Sequence, residues 1–217
     1  MRKRIEHYFL SVEGENEKWY FEHLQNLINH CDTARRHVSF NIVVARFPYN
    51  KVKSIPAPVK RRAFHIVDYE SNCEEHVQEF KKVLDQLEEI KTWDKFDYRI
   101  GYSNYAFELW MLLHKTDQDL RVDHRKQYFW DINKLYGTKY NSLKRYKSEA
   151  EFKKVLRQIA LEDVYRAIKN AEKLRQRHME RKHTMLEYNG FAYFTDNPDV
   201  TVHECVKRIF KDCQVKG

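Results

Sequence analysis

The first half of the chain alternates between strand and helix patterns, which restricts the fold more than any other feature. Four apolar stretches rich in strand-forming residues predict strands over residues 5–12, 37–47, 61–70 and 96–103. Apolar residues at helical spacing predict helices over residues 15–29, 74–91 and 104–115. Such an alternation is typical of an α/β domain with a largely parallel sheet flanked by helices.

The second half has a different pattern and is predicted to be mainly helical. Residues 121–147 interleave Tyr, Phe and Trp with Arg and Lys, and helices are predicted over 149–177 and 201–213. We therefore predict one domain, with an α/β core in residues 1–118 that is completed by a basic, aromatic helical region in residues 119–217.

The charge of the chain favours a polyanionic partner. The 217 residues include 40 Lys and Arg against 32 Asp and Glu, so the net charge is +8, and a basic balance of this kind favours nucleic acid. Four cysteines without a Cys-x-x-Cys pair support neither a zinc site nor a disulfide framework. We find no signal peptide or apolar run long enough to span a membrane, and expect a soluble cytoplasmic protein.

Acidic residues follow two of the predicted strands. Glu13 precedes Gly14 at the end of the first strand, and Asp68 and Glu70 end the third. The strand period of two would point Asp68 and Glu70 to the same face. If the first and third strands are neighbours, three carboxylates meet at one edge of the sheet and repel one another unless a cation lies between them. Oxygen ligands alone select Mg²⁺ or Mn²⁺. An Asp-x-Glu pair at a strand end also arises by chance, so a structural or solvated role remains open.

A further acid, Glu108, lies in a very apolar segment. Its neighbours in Ser103-Asn-Tyr-Ala-Phe-Glu-Leu-Trp-Met-Leu-Leu-His114 are mostly apolar, so Glu108 is either on the wet face of a helix or buried with a partner. Ser103 or Asn104 is expected to cap this helix.

Four of these segments together resemble the RloB-like family, whose members have a Toprim-type catalytic core. The segments are Val12-Glu-Gly-Glu-Asn-Glu17 with Tyr20-Phe21, Val67-Asp-Tyr-Glu70, Ser103 to His114, and Asn197-Pro-Asp-Val-Thr201. The third is the most specific. The family has a second Asp where this chain has Glu70.

The resemblance implies a metal-dependent nuclease of bacterial anti-phage defence loci, often encoded beside an ATPase. Residues 1–118 would form the Toprim-like catalytic core. By this carry-over Glu13 is the catalytic glutamate, and Glu13, Asp68 and Glu70 form the catalytic, metal-binding set for Mg²⁺ or Mn²⁺. Glu108 would serve a second ion. Glu70 has one methylene more than Asp, so its carboxylate reaches further into the site, and Mg²⁺ accepts little change in the geometry of its ligands.

Basic residues are the candidates for contact with the phosphates of a nucleic acid. They are Lys51, Lys53 and Lys60 in a loop or broken helix over residues 49–60, Arg61 and Arg62 before the third strand, and the 121–147 region. Lys18 and His114 are placed near the acids, as phosphate ligands or supporting groups. The alternative is that the cations solvate the surface, that the rings pack inward and that His114 is a packed or capping residue.

The leading hypothesis is a Mg²⁺- or Mn²⁺-dependent endonuclease that cleaves DNA or RNA, with tRNA as one substrate to test, under the control of a partner ATPase. The main alternative is a non-catalytic subunit of a defence complex that binds nucleic acid or a partner, and a weaker one is nucleotidyl transfer. An oligomer is left open.

Overall fold

The computed structural model describes residues 3–56, 61–118 and 120–216. Its strands are β1 Ile5–Val12, β2 His37–Val44, β3 Arg61–Asp68, β4 Phe96–Asn104, β5 Met185–Tyr188, β6 Phe191–Phe194 and β7 Asp199–Val200. Its α-helices are α1 Glu15–Asn29, α2 Tyr49–Lys53, α3 Glu74–Thr92, α4 Glu108–Leu113, α5 Tyr128–Leu135, α6 Leu143–Tyr146, α7 Glu149–Leu156, α8 Leu161–Glu180 and α9 Val202–Cys213. A 3₁₀ turn over Arg125–Gln127 precedes α5.

The central sheet has the strand order β2-β1-β3-β4-β7. Its first four strands are parallel, and only the short β7 runs antiparallel, against β4. The predicted α/β class with a largely parallel sheet is confirmed, and the arrangement is consistent with a Toprim-like core. Strands β1 and β3 are hydrogen-bonded neighbours, with Val12 opposite Ile66, as a shared site for Glu13 and Asp68 requires.

Both faces of the sheet are covered, as expected for a parallel sheet. Alternate residues of β1 and β3, including Tyr8, Leu10 and Phe64, pack on one face with residues of α1, α4, α8 and α9. The residues between them, including Phe9 and Ala63, pack on the other face with α3 and the β5–β6 hairpin.

Several predicted boundaries are wrong. Strand β3 ends at Asp68, before Glu70, and Ser103 and Asn104 belong to β4 rather than capping a helix. The helix predicted over 149–177 is two helices, α7 and α8, although no Gly or Pro separates them. The side chains of His23 and Lys115 donate hydrogen bonds to the Ile159 and Gln158 carbonyls at the break. These tertiary contacts satisfy carbonyls that a continuous helix would use itself.

The basic loop predicted over residues 49–60 contains the short helix α2. Its residues 57–60, with Pro58 and the candidate Lys60, lie outside the described residues. The small strands β5, β6 and β7 were not predicted. No helix among the described residues has the length and apolar character needed to cross a membrane.

Candidate active site

The carboxylate of Glu13 is held at the carboxyl ends of β1 and β3. Its backbone N–H extends the ladder by donating to the Ile66 carbonyl, at 3.1 Å. Its Oε2 then accepts a hydrogen bond from the Asp68 backbone N–H, at 2.9 Å. Glu13 and Asp68 therefore lie side by side, as the sequence predicts. Open α/β sheets bind their ligands at this edge, where the carboxyl ends of the strands meet.

Glu17, in the first turn of α1, brings a further carboxylate to this edge. Its side chain turns back over Gly14, where an added Cβ would lie only 2.9 Å from Glu17 Oε2. Gly14 has extended backbone with a φ of −140°, so no special φ angle requires glycine here, and an added Cβ would meet only the end of the Glu17 side chain. A larger residue would displace the Glu17 carboxylate.

Glu108, the first residue of α4, is buried and has a cationic partner. Its Oε1 accepts a hydrogen bond from the Nζ of Lys147, at 2.9 Å. Lys147 directly follows α6, far away in the sequence. Of the two roles left open for Glu108, the structure shows burial with a partner.

The carboxylates and Lys147 form one electrostatic group. Burial, reinforced by the charges of Glu13 and Glu17, raises the pKa of Asp68 well above its ordinary value. Burial also raises the pKa of Glu13, and it raises the pKa of Glu17 to about 7, with repulsion from Glu108 and Glu13 adding to the shift. Burial alone would lower the pKa of Lys147, but the charges of Glu108 and Asp68 outweigh it and raise that pKa. We call Glu13, Glu17, Asp68, Glu108 and Lys147 the acidic cluster.

The donor chemistry of the acidic cluster fits a hard divalent cation. All its potential ligands are carboxylate oxygens, and Glu17 Oε2 is buried without a hydrogen-bond partner. As they stand, however, no three or more His, Cys, Asp or Glu side chains in the described residues are grouped to hold a metal ion. The ammonium of Lys147 supplies the positive charge, and 41% of its side chain is exposed, so the cluster is open on that side.

Glu70 lies beside the acidic cluster but not on the strand that carries Asp68. Its backbone has a φ of 60°, in the left-handed region, so the expectation that Asp68 and Glu70 share a strand face is wrong. Its carboxylate forms ion pairs with Arg46 at 3.3 Å and Arg125 at 3.2 Å, and it lies 3.1 Å from His76 Nε2. Arg46 also lies 3.6 Å from Glu13 Oε1 and so links Glu70 to the cluster.

A cavity of about 280 Å³ opens beside these ion pairs. It is lined by acidic, basic and hydroxyl side chains on three segments of the chain: Glu70, Ser71, His76, Tyr105, Asp123, His124, Arg125 and Lys126. Its polar lining, with Arg125 and Lys126 on one side, suits an anionic ligand better than an apolar one.

Arg61 and Arg62 do not lie near the acidic cluster. They begin β3, whereas Asp68 ends it, and an eight-residue strand is about 23 Å long. Arg62 forms ion pairs with Glu6, near the start of β1, and with Asp212, and so lies at the amino ends of the strands. Contact between these two arginines and a phosphate held at the acidic cluster is therefore excluded in this arrangement.

Three other predicted nucleic-acid ligands have no described contact with the acidic cluster. Lys18 pairs with Glu15 at 3.0 Å on the exposed side of α1. Lys51 and Lys53 are exposed on α2, with the Lys53 ammonium 5.6 Å from the centre of the Tyr49 ring.

His114 is fully buried, in contact with Tyr20 Oη at 3.1 Å and the Trp110 carbonyl at 2.9 Å. Burial lowers the pKa of His114 to about 4. The packed role is the one that the structure shows.

Sequence reasoning did not single out Glu17, Arg46 or Lys147 as site residues, although Glu17 lies in the first family segment and Lys147 ends the basic 121–147 region. Glu17 could have been found, because it lies in the first of the four family segments, three residues after Gly14 and so within the first turn of the predicted helix. Nothing in the neighbourhood of Arg46 or Lys147 distinguishes either from the other cations of this basic chain. Their roles depend on tertiary contacts.

Comparison with known proteins gives one match. A family model described as RloB-like protein matches residues 8–209, nearly the whole chain. Neither the curated proteins nor the solved structures contain a match to this chain. The segments around Glu13, Asp68, Glu108 and Asn197 all fall within the matched range. The chain therefore belongs to the RloB-like family.

Proposed function

We propose that this protein is a divalent-metal-dependent nuclease that hydrolyses phosphodiester bonds in DNA or RNA. The observation that carries the proposal is the acidic cluster: Glu13, Glu17 and Asp68 meet at the carboxyl ends of two adjacent parallel strands, with Glu108 close by, around one ammonium group. Buried carboxylates that raise one another's pKa are a common feature of catalytic and metal-binding sites.

Glu13, Glu17, Asp68 and Glu108 would hold Mg²⁺ or Mn²⁺. When bound, the ion would supply a more acidic water and neutralise charge on the phosphate. Lys147 now occupies the cluster with a single positive charge, and its partly exposed side chain is free to rotate outward when a divalent cation replaces that charge.

The ion-paired groups around Glu70 would bind the phosphates next to the scissile bond. Glu70 pairs with Arg46 and Arg125. Arg125 lines the polar cavity, whereas Arg46 also pairs with Glu79 and reaches Glu13 of the acidic cluster. Guanidinium groups suit phosphate because their fork of N–H donors matches two oxygens. In this proposal Glu70 orients these arginines.

The biological setting belongs to the proposal as well. The chain belongs to the RloB-like family, and the resemblance described above carries the expectation of anti-phage defence and of control by an ATPase encoded nearby. We propose both for this chain.

One observation favours the non-catalytic alternative. In the described residues, the acids are not yet grouped to share a metal ion, and Lys147 already neutralises part of their charge. A subunit that binds nucleic acid or a partner without turnover would keep this arrangement permanently, and its binding would persist after the acids were removed.

Cleavage assays with matched variants separate the two functions. Wild type, Glu13→Gln and Asp68→Asn would be incubated with plasmid DNA, single-stranded DNA and tRNA, in Mg²⁺, Mn²⁺ or EDTA. We expect cleavage by the wild type only with a divalent ion, and a loss of about 100-fold or more in each variant, since metal-ion catalysis contributes several kcal/mol.

Glu15→Gln is the matched control. Glu15 is exposed, lies two residues from Glu13 and pairs only with Lys18 among the described contacts, so this variant should cleave within about twofold of the wild type. Folding of every variant would be verified by circular dichroism. Full cleavage by folded Glu13→Gln and Asp68→Asn, or no cleavage by the wild type with either ion, would refute the nuclease assignment.

A further inference from the structure

Trp130 is the most exposed large hydrophobic side chain among the described residues. It lies on α5 with 69% of its surface accessible, although its neighbours Tyr128, Phe129 and Ile132 are buried. The other rings of the 121–147 region that the structure describes, Tyr136, Tyr140 and Tyr146, are buried too. The alternative that these rings pack inward is therefore correct for all of them except Trp130.

The indole is held in place from one side. The ring centres of Trp130 and Phe129 are 5.2 Å apart with an interplanar angle of 60°. A rigid ring that is open to solvent provides a flat surface at little entropic cost, because a side chain with two χ angles loses few rotamers when a ligand covers it.

Cations flank Trp130 along the helix. Lys134 lies four residues later on α5 and is therefore on the same side of the helix. Lys126 lies four residues earlier, in the 3₁₀ turn that leads into α5, and it is exposed like Lys134. The only acid of α5, Asp131, is half-buried, and burial raises its pKa.

This surface is continuous with the candidate active site. Arg125, beside Lys126, forms the ion pair with Glu70, and both Arg125 and Lys126 line the polar cavity. At the start of α5, Tyr128 donates a hydrogen bond to the Asn104 carbonyl at the end of β4. A polymer that extends from the acidic cluster through the cavity would thus reach Trp130.

We propose that Lys126, Trp130 and Lys134 form a binding surface for single-stranded nucleic acid, on which an unpaired base stacks against the indole while the lysines contact the flanking phosphates. The inference rests on the proposed function and narrows its substrate class. Stacking on an exposed ring between cations is the way proteins bind single strands without reading their sequence. A duplex keeps its bases stacked inside and cannot use the indole.

The net charge of the region favours this occupant over a protein. Residues 121–147 contain eight Lys and Arg against two Asp, and so carry most of the excess positive charge of the chain. Arg125 and Lys147 are paired with Glu70 and Glu108, and the remaining excess of cations in the segment that carries Trp130 complements a polyanion.

Equilibrium binding in EDTA tests the proposal without relying on cleavage. Fluorescein-labelled single strands of about 12 nucleotides, as DNA and as RNA, would be titrated with the full chain and followed by fluorescence anisotropy, alongside a duplex of equal length. We expect Trp130→Ala to weaken single-strand binding by about 10-fold or more and Trp130→Phe to retain most of it. Duplex binding should change little in either variant.

Two controls isolate the ring and the lysines. Met179→Ala removes another exposed apolar side chain, on α8, and should leave binding unchanged. The double variant Lys126→Ala/Lys134→Ala should reduce the slope of log affinity against log salt by about 1.4, since each phosphate contact on a single strand contributes about 0.7. Lys169→Ala/Lys211→Ala removes two exposed lysines of α8 and α9 and should keep the wild-type slope.

The outcomes separate this inference from the nuclease proposal. Binding that depends on Trp130 in a protein that never cleaves supports the inference and refutes the nuclease. Equal single-strand affinity in wild type and folded Trp130→Ala overturns the inference, as does an equal loss for single strands and duplex. Loss of self-association by sedimentation in Trp130→Ala, with oligonucleotide binding intact, would also overturn it by assigning the surface to a second copy of the chain.

Discussion

Lys147 brings a positive charge into a site that is otherwise built from carboxylates. Its Nζ lies 2.9 Å from Glu108, and the charges of Glu108, Asp68 and Glu17 hold its proton in place. The lysine therefore limits the repulsion that would otherwise accumulate among Glu13, Glu17 and Asp68. In this view the protein without metal is stable because one of its own side chains acts as the counter-ion.

Replacing Lys147 tests this role. In Lys147→Met without divalent ions, we expect the free energy of unfolding to fall by about 1 kcal/mol, a modest value because solvent screens the partly exposed pair. The corresponding decrease in melting temperature is about 2–4 °C for a chain of this size. Millimolar Mg²⁺ or Mn²⁺ should then raise the melting temperature more in this variant than in the wild type, because the ion no longer competes with the ammonium.

The control is Lys144→Met, which removes an exposed lysine on α6 three residues away. It should match the wild type with and without divalent ions. Identical melting temperatures for Lys147→Met and Lys144→Met under both conditions would contradict the counter-ion role.

The residues of the site differ in how far the sequence reveals them. Glu13 and Asp68 were predictable, because an acid after an apolar strand lies at a strand end and the strand order of α/β sheets brings such ends together. Glu70 was misplaced because its positive φ departs from the strand period. Lys147 was missed because its role arises only when the segment after α6 folds back onto α4, a contact that no local pattern encodes.

The secondary-structure elements also differ in whether a local sequence pattern or a tertiary contact determines them. Strands and helices whose apolar spacing is strong, such as β1, α1 and α3, match their predicted ranges within a few residues. The break between α7 and α8 was missed because side chains distant in sequence stabilise it. The two-residue strand β7 exists only through its pairing with Ser103 and Asn104, so its own sequence carries no periodic signal.

Gly101 determines how closely helix α9 approaches strand β4. A Cβ added at this position would lie 3.1 Å from both the Val202 Cα and the Ile66 Cδ1, and 3.2 Å from the Cys205 Sγ. One of these contacts is to backbone, so relief requires a shift of the helix. We expect Gly101→Ala to lower the free energy of unfolding by about 1–3 kcal/mol, the usual cost of overpacking, as measured by urea denaturation.

Ser103→Ala on the same strand is the matched comparison. The Ser103 hydroxyl is buried without a hydrogen-bond partner, so its removal breaks no hydrogen bond and should leave the free energy of unfolding unchanged or raise it. A Gly101→Ala protein as stable as the wild type would show that α9 has room to move away from the sheet.

The two halves of the whole chain share one core. Residues Val202, Val206 and Ile209 of α9 are buried in the same cluster as Tyr8, Leu10 and Ile66 of the sheet. Strand β7 extends the sheet beyond β4, and Tyr8 donates a 2.6 Å hydrogen bond to Asp212 near the end of α9. The C-terminal half therefore covers a face of the sheet that would otherwise be exposed to water.

This shared core predicts that residues 1–118 do not fold alone. In the fragment the face of β1 and β3 that α8 and α9 cover would be exposed, and apolar area left in water contributes about 25 cal/mol per Å² against the folded state. We expect the fragment to bind a hydrophobic dye, to lack near-ultraviolet circular dichroism and to unfold in urea without a cooperative transition, as loosely packed states do. The full chain should unfold cooperatively. Addition of residues 119–217 in trans should restore part of the cooperativity, because the missing apolar faces would then be available. A monomeric fragment with a cooperative urea transition of its own would instead show that residues 1–118 are sufficient to stabilise the sheet. Lys147 would then be the only part of the acidic cluster that the second half of the chain contributes.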